Sequence, residues 1–291
     1  MILLDGKKTA ADIKEEIALE VSELRRKDLK TPHLAAIIVG NNGASLTYVN
    51  AKVKACERVG FESTLLRLPE SISEEKLLNE IEILNVDNDI DGFIVQLPLP
   101  DHIDEQKIIM AIAPEKDVDG FHPTNVGKMA LNLPTFISAT PFGILELLDR
   151  YHIETSGKNV IVIGRSHIVG SPMSILLSQK RKIGNATVTL AHSRTKNLTE
   201  LTQKADIIIA AIGIPEFLKA DMIKENVVVI DVGISRVADS SRKNGFRLIG
   251  DVDFKAVSRK ASHITPVPGG VGPMTIAMLL KNTLLANKNK I

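Results

Sequence analysis

Val160-Ile161-Val162-Ile163-Gly164-Arg165-Ser166, followed by Val169-Gly170-Ser171-Pro172, decides the fold. Four β-branched residues in a row predict a short strand covered on both faces. Gly164 opens a tight turn, and Ser171 with Pro172 predicts the cap and first turn of a helix. A buried strand that runs through a Gly-bearing turn into a helix belongs to a parallel α/β sheet. It also aims backbone N–H groups at the helix N-terminus, where a phosphate is stabilised. Ser166 stands where the strict G-x-G-x-x-G fingerprint has its second glycine. By itself, then, the turn reads equally as a dinucleotide site or as a plain βα connection.

The alternation continues on both sides. Downstream, 186–191, 207–212 and 227–232 read as further strands. Upstream, Ile13, Ile17, Val21 and Leu24 recur at helical spacing within 9–27, and 34–39 is a wholly apolar strand. A helix over 45–59, a strand over 63–68 and a Ser73-capped helix over 73–84 follow. The strand 93–97 is stopped by Pro98 and Pro100. Periodicity dissolves between Asp119 and Pro141, which reads as the crossing between domains. A helix near 143–151 then leads into the second set of strands, and an apolar helix at 275–285 is expected to return to the first domain.

Composition bounds the possibilities. At roughly 150 residues per domain, 291 residues predict about two domains. A net charge of +1 argues against a nucleic-acid-coating protein, and 8 Phe, 2 Tyr and no Trp are too few for base-stacking platforms. No apolar run approaches the roughly 18 residues of a membrane helix, and Met1 to Asp5 lacks a signal peptide's apolar core. Cys56 is the only cysteine, which excludes an internal disulfide or a Cys-cluster zinc site and fits a reducing, cytoplasmic compartment. The tail 287–290 reads as frayed.

Several residues are of types that carry chemistry. The expected second strand of the nucleotide domain ends in His192-Ser193-Arg194-Thr195, without the carboxylate that would accept the ribose hydroxyls of NAD. Arg165 and Arg194 suit a ribose phosphate instead, so NADP is the better fit; the alternative reading of Arg194 is an ordinary solvated surface charge. Tyr48 and Lys52 are four apart and share one helix face. A Lys beside an apolar wall can manage protons. A Tyr-x-x-x-Lys pair also marks short-chain dehydrogenases, but there it follows the nucleotide turn, whereas here it precedes Gly164.

Val95-Gln96-Leu97-Pro98 sets a polar amide at the carboxyl end of a buried strand, where open α/β sheets bind ligands, although a lone Gln also caps loops. Lys116-Asp117-Val118-Asp119-Gly120-Phe121-His122-Pro123 offers two carboxylates one residue apart, which turn chemistry alone also explains. Pro266-Val267-Pro268-Gly269-Gly270-Val271-Gly272-Pro273 is too rich in Gly and Pro for a core element and lets backbone approach a flat ligand. His122, His167, His192 and His263 lack metal-ligand spacing and read as structural. Neither a nucleophile nor a metal is assigned.

These motifs, in this order and nearly end to end, resemble the bifunctional methylenetetrahydrofolate dehydrogenase/methenyltetrahydrofolate cyclohydrolase family. The resemblance implies two three-layer α/β domains with a folate cleft between them. Residues 1–120 would form the folate-binding catalytic domain, with helix 274–291 packing back on it, and 140–270 a Rossmann-type NADP-binding domain. It implies NADP-dependent oxidation of 5,10-methylenetetrahydrofolate to 5,10-methenyltetrahydrofolate, then hydrolysis to 10-formyltetrahydrofolate, in the one-carbon metabolism that supports purine biosynthesis. Partners would be tetrahydrofolate one-carbon substrates and a second copy of the chain in a cytoplasmic homodimer, with no nucleic acid and no membrane.

By the same resemblance, Lys52 is the catalytic lysine, Gln96 its hydrogen-bonding partner, and Tyr48 stacks on the folate. Asp119 binds the pterin's amino edge, and Val95, Leu97, Pro98, Pro268, Gly269, Gly270, Val271 and Gly272 border the folate. Gly164, Arg165, Ser166, Ser193, Arg194 and Ile234 line the NADP site. Ala139 and Ala191 depart from the cysteine common in relatives, and 179–185 is longer than usual. Three rivals stay open at this point: a single-activity folate enzyme, a non-catalytic folate-binding module, and a dehydrogenase of the same architecture acting on amino or hydroxy acids.

Overall fold

The computed structural model describes residues 1–241 and 245–288. Its strands are β1 (Ile2–Leu3), β2 (His33–Val39), β3 (Glu62–Leu68), β4 (Gly92–Val95), β5 (Asn159–Ile163) and β6 (Thr187–Ala191). They continue as β7 (Ile207–Ala210), β8 (Val228–Asp231), β9 (Ser235–Ala238), β10 (Phe246–Ile249) and β11 (His263–Ile264). The helices are α1 (Gly6–Arg26), α2 (Gly43–Val59), α3 (Glu74–Val86), α4 (Glu105–Ala111) and α5 (Pro123–Ala130). After these come α6 (Ala139–Arg150), α7 (Gly170–Ser178), α8 (Leu198–Lys204), α9 (Phe254–Val257) and α10 (Val271–Asn287).

The chain divides into two compact units. The first comprises Ala11–Ala139 and the chain from Ile276; the second comprises Met1–Ala10 and Thr140–Thr275. In the first unit a parallel three-stranded sheet runs β3-β2-β4. Residues 34–39 of β2 are all buried, as their unbroken apolar run requires of a central strand covered on both faces. Ile37, Val39, Phe93 and Val95 pack with Leu77, Ile81 and Leu84, the inward stripe of α3. Ser73 caps that helix by accepting from the Lys76 N–H at 3.3 Å.

The second unit holds a parallel six-stranded sheet, β1-β11-β8-β7-β5-β6, beside the antiparallel hairpin β9–β10. The chain leaves β5 for β6 on one side and returns to β7 on the other. That reversal is a topological switch point, where an open α/β sheet binds its ligand beyond the strands' carboxyl ends.

Four expectations change. Residues 1–120 do not form one body, because β1 pairs with β11 and so joins the second unit. Within the expected crossing 119–141, α5 forms because Pro123 occupies its first turn and His122 Nδ1 accepts from the Thr124 N–H at 3.0 Å. Val271 to Pro273 are helical rather than loop, with Pro273 tolerated in the first turn of α10. α7 starts at Gly170 with Val169 as N-cap, so Ser171 is inside the helix; the Ser166 hydroxyl accepts from the Val169 and Gly170 N–H groups at 3.2 and 3.4 Å. At the C-terminus, the Lys288 N–H still donates to the Leu284 carbonyl at 3.2 Å, and 289–291 of the expected helix and tail lie outside the described residues.

Candidate active site

In the first unit, α2 buries Val49, Lys52, Ala55, Cys56 and Val59, a helical stripe with one charge in it. Lys52 is only 9% exposed, so its aliphatic stem lies in the packed layer and its ammonium is the part that must find a partner. Nζ donates to Oε1 of Gln96 at 3.2 Å. Gln96 follows β4 directly; its backbone N–H donates to the Ile37 carbonyl at 2.9 Å and Nε2 donates to the Leu97 carbonyl at 2.7 Å. Both bonds hold the amide with its oxygen toward Lys52. The acceptor is neutral and brings no opposing charge to Lys52.

Tyr48, one turn before Lys52, is 40% exposed and leaves its ring available for stacking. Burial pushes the Cys56 thiol up to about 12, which removes it as a nucleophile.

Asp117 and Asp119 separate cleanly. Asp117 is buried and accepts from the N–H groups of Gly120 and His122 at 3.1 and 2.7 Å and from Asn125 Nδ2 at 2.9 Å. Burial outweighs those bonds and raises its carboxyl to about 6. This is the turn chemistry anticipated for an Asp before Gly. Asp119 takes no part in that network. Its neighbour Val118 packs against Gly92, where any added Cβ would lie 2.3 Å from a Val118 methyl. The Val118 carbonyl accepts from Asn282 Nδ2 at 2.8 Å. With its neighbour fixed, Asp119 lines a small pocket with Phe93, Val95, Leu97 and Phe121. At the carboxyl end of β4, Gln96 meets Lys52, and the next residue, Leu97, lines the pocket that Asp119 shares.

The second unit carries the remaining expected site residues. Gly164 has φ +114°, and a Cβ there would lie 2.1 Å from the Ala211 carbonyl oxygen. A Cβ at Gly170 would lie 1.9 Å from the Gly164 oxygen, so both turn glycines are required for close backbone approach. Two of the helix N-terminal amides that a phosphate was expected to meet are already taken by Ser166.

The donors left at these strand ends are exposed: Arg165 and Ser166 after β5, Ser193 and Arg194 after β6. The His192 turn is closed by the His192 N–H donating to Thr195 Oγ1 at 2.8 Å and the Arg194 N–H donating to His192 Nδ1 at 3.2 Å. Ile168, Ile214 and Ile234 stand half exposed, an apolar surface suited to a planar ring. Basic donors, exposed aliphatic side chains and a glycine turn at a switch point fit a phosphorylated dinucleotide. The loop of Pro268 to Gly270 is held by the N-terminal segment: the Lys7 N–H donates to the Gly269 carbonyl at 2.8 Å, and a Cβ at Gly6 would lie 1.8 Å from the Gly270 oxygen.

Asp231 and Asp251, both buried in this unit, were missed. The available signal was an Asp within two residues of a Gly at two strand ends, in Asp231-Val232-Gly233 and Gly250-Asp251.

Residues 4–119 match the tetrahydrofolate dehydrogenase/cyclohydrolase catalytic domain, and 138–291 match that family's NAD(P)-binding domain. A Flavobacterium johnsoniae protein named bifunctional protein FolD is 68% identical over 288 residues, covering 99% of this chain and 98% of its own. The crystal structure of the Campylobacter jejuni bifunctional enzyme FolD, a methylenetetrahydrofolate dehydrogenase/cyclohydrolase, is 49% identical, with TM-score 0.93 and full coverage of both chains. The Trypanosoma brucei methylenetetrahydrofolate dehydrogenase-cyclohydrolase, solved with NADP cofactor and an inhibitor, is 39% identical over 100% of this chain and 98% of that one, with TM-score 0.93. Both family domains, in order and spanning nearly all of the sequence, place the chain in the tetrahydrofolate dehydrogenase/cyclohydrolase family.

Proposed function

We propose that Lys52 and Gln96 carry the chemistry of this bifunctional enzyme, while Tyr48 and Asp119 hold the folate. The protein oxidises 5,10-methylenetetrahydrofolate to the methenyl form and hydrolyses that product to 10-formyltetrahydrofolate. When bound, NADP supplies the hydride acceptor for the first step. The observation that carries the assignment is the buried Lys52 Nζ, bonded to Gln96 Oε1 at 3.2 Å at the carboxyl end of β4.

The oxidation removes no proton through the protein, because loss of hydride leaves a cation shared between two folate nitrogens. Lys52 and Tyr48 contribute there by orienting the substrate. The hydrolysis differs. Water adds to the methenyl carbon, one carbon–nitrogen bond breaks, a ring nitrogen gains a proton and a net proton is released. A positioned amine that exchanges protons serves both ends of that step, and Gln96 keeps it in place. Asp119 offers a carboxylate to the amino edge of the pterin, and Arg165, Ser166, Ser193 and Arg194 would hold the cofactor's phosphates and ribose.

The reading extends to a cytoplasmic homodimer whose product enters purine biosynthesis. The single, buried cysteine supports a reducing compartment, and the family resemblance supports the dimer. The purified protein is expected to reduce NADP with methylenetetrahydrofolate and, in a separate assay without nucleotide, to bleach methenyltetrahydrofolate absorbance. Loss of neither activity in Lys52→Met would remove Lys52 from the site. Sedimentation velocity checks the dimer.

A further inference from the structure

Two buried carboxyls that the reaction does not use lie behind the turns at the carboxyl ends of β7 and β8. Asp231 ends β8 and Asp251 follows β10, and both are almost completely buried. Asp251 Oδ2 accepts from the N–H groups of Ile212 and Gly213 at 2.7 and 3.0 Å, the turn that follows β7. Asp231 Oδ1 accepts from the N–H groups of Gly233 and Asp251 at 3.0 and 2.9 Å, and its Oδ2 from the Val252 N–H at 3.0 Å.

A glycine faces each carboxyl. A Cβ at Gly233 would lie 2.2 Å from Asp251 Oδ1, and one at Gly250 would lie 1.9 Å from Asp231 Oδ2. Asp251 Oδ1 makes no hydrogen bond. Burying two neighbouring carboxyls is unfavourable, and burial raises Asp231 to about 7. What the arrangement supplies in return is fixed loop geometry: Asp251 ties down the β7 turn, Asp231 ties down both Gly233 and Asp251. The β7 turn is the one whose Ala211 carbonyl closes against Gly164.

We propose that Asp251 is a positioning residue of the nucleotide site, holding the Ile212–Gly213 turn against the Gly164 turn and, through Asp231, the Gly233 turn that presents Ile234. The inference rests on the reading of this face as the NADP site. Asp251 touches no reacting atom; it sets where the turns that border the nucleotide stand. Its acceptor geometry, rather than its charge, does this. An Asn can keep one oxygen on both amides, whereas Ala leaves both backbone N–H groups without their acceptor.

The experiment is calorimetric titration with NADP, together with dehydrogenase kinetics, on the full-length wild type, Asp251→Ala, Asp251→Asn and Gly213→Ala. In Asp251→Ala the Kd and KM for NADP are expected to rise about tenfold or more, the scale of an unpaired buried donor, while kcat at saturating NADP falls by less than about threefold. Asp251→Asn is expected within about threefold of wild type on each quantity. A merely structural role would lower kcat through loss of folded protein and leave KM alone.

Gly213 has φ +69° and open space where a Cβ would go, so Gly213→Ala strains the same turn without a clash in the core. It is expected to raise the KM for NADP about threefold or more. An unchanged Kd in folded Asp251→Ala overturns the proposal, as does an Asp251→Asn variant as weak as Asp251→Ala. Should Asp251→Ala not fold, an unchanged Kd in Gly213→Ala overturns it. A wild-type protein that does not bind NADP overturns the nucleotide reading of the face instead.

Discussion

Nζ of Lys52 donates to Oε1 of Gln96 at 3.2 Å, and the amide that receives it is itself tied to the Leu97 carbonyl at 2.7 Å. The lysine is thereby held by a neutral group that sets its position and adds no opposing charge. Lys52→Met keeps the stem in the packed face of α2 and deletes only the proton carrier. Hydrolysis is expected to fall about 10²–10⁴-fold, the usual contribution of a positioned acid–base group. Hydride transfer, which depends on alignment, is expected to fall less. Both activities measured on one preparation check this. An equal loss in both, with folate affinity unchanged, would contradict the division.

Gln96→Glu changes the partner from neutral to anionic. A carboxylate beside the Lys52 ammonium holds its proton, and it also faces the Leu97 carbonyl with no donor to offer. Hydrolysis at neutral pH is expected to drop about tenfold or more, with the acidic limb of its pH profile moved upward. A profile that does not move would mean that Gln96 does not govern the proton on Lys52.

Much of this was legible because β2, β5 and β7 are apolar runs too short for helices, and because Ser73 and Lys76 mark a cap that forms as written. β1 and β11 were not legible: each is two residues long, and a pairing between Leu3 and Ile264 leaves no periodic signal. Through that pairing residues 1–10 pack with the second unit, although the family's catalytic domain begins at residue 4. At the site, Tyr48 and Lys52 were readable as one helix face. The bond from Lys52 to Gln96 depends on how α2 lies over β4, which spacing does not encode. Asp231 and Asp251 were hidden for a different reason. Two buried carboxyls defy the expectation that Asp is exposed, and only the three-dimensional approach of Gly233 and Gly250 makes room for them.

Asp119→Ala and Asp117→Ala are expected to fail in different ways. Asp119 stands outside the loop's hydrogen bonds, so its loss should leave the fold intact and weaken folate binding. The cost is roughly 1–3 kcal/mol, with both activities falling together. Asp117 accepts from Gly120, His122 and Asn125, so its loss unpairs buried donors and should lower the melting temperature. Thermal unfolding and folate titration on both variants separate the two. Equal folate affinity in Asp119→Ala and wild type would remove Asp119 from the site.

Preference for NADP over NAD should reside in Arg165 and Arg194. Arg165 follows β5 and Arg194 follows β6, and the end of β6, His192-Ser193-Arg194-Thr195, offers no carboxylate. A charge-assisted Arg–phosphate contact contributes on the order of 1.5–3 kcal/mol. Replacing either Arg with Ala is expected to raise the KM for NADP about tenfold or more, with little change for NAD. A wild-type enzyme with the higher kcat/KM for NAD would refute the assignment.

The buried Asp231 should make the protein more stable at mildly acidic than at alkaline pH. Burial raises its carboxyl from 3.8 to about 7, and that of Asp117 from 3.8 to about 6. In each case the folded state binds the proton more tightly than the unfolded chain does. The stability this confers is complete below 3.8 and is lost as the pH rises through about 6 and about 7. Between pH 6.5 and 8 the unfolded carboxyls are already ionised, so stability should decline with rising pH, by about 1 kcal/mol in total from these two groups. His263 acts in the opposite sense, because burial lowers its pKa below 6.5, but its effect falls mainly below this window. Asp231→Asn removes the larger contribution. Melting curves at pH 6.5 and 8 are expected to show a higher midpoint at pH 6.5 in the wild type and a much smaller difference in Asp231→Asn. If both proteins respond to pH alike, Asp231 does not carry the proton, and burial has not raised its carboxyl into this range.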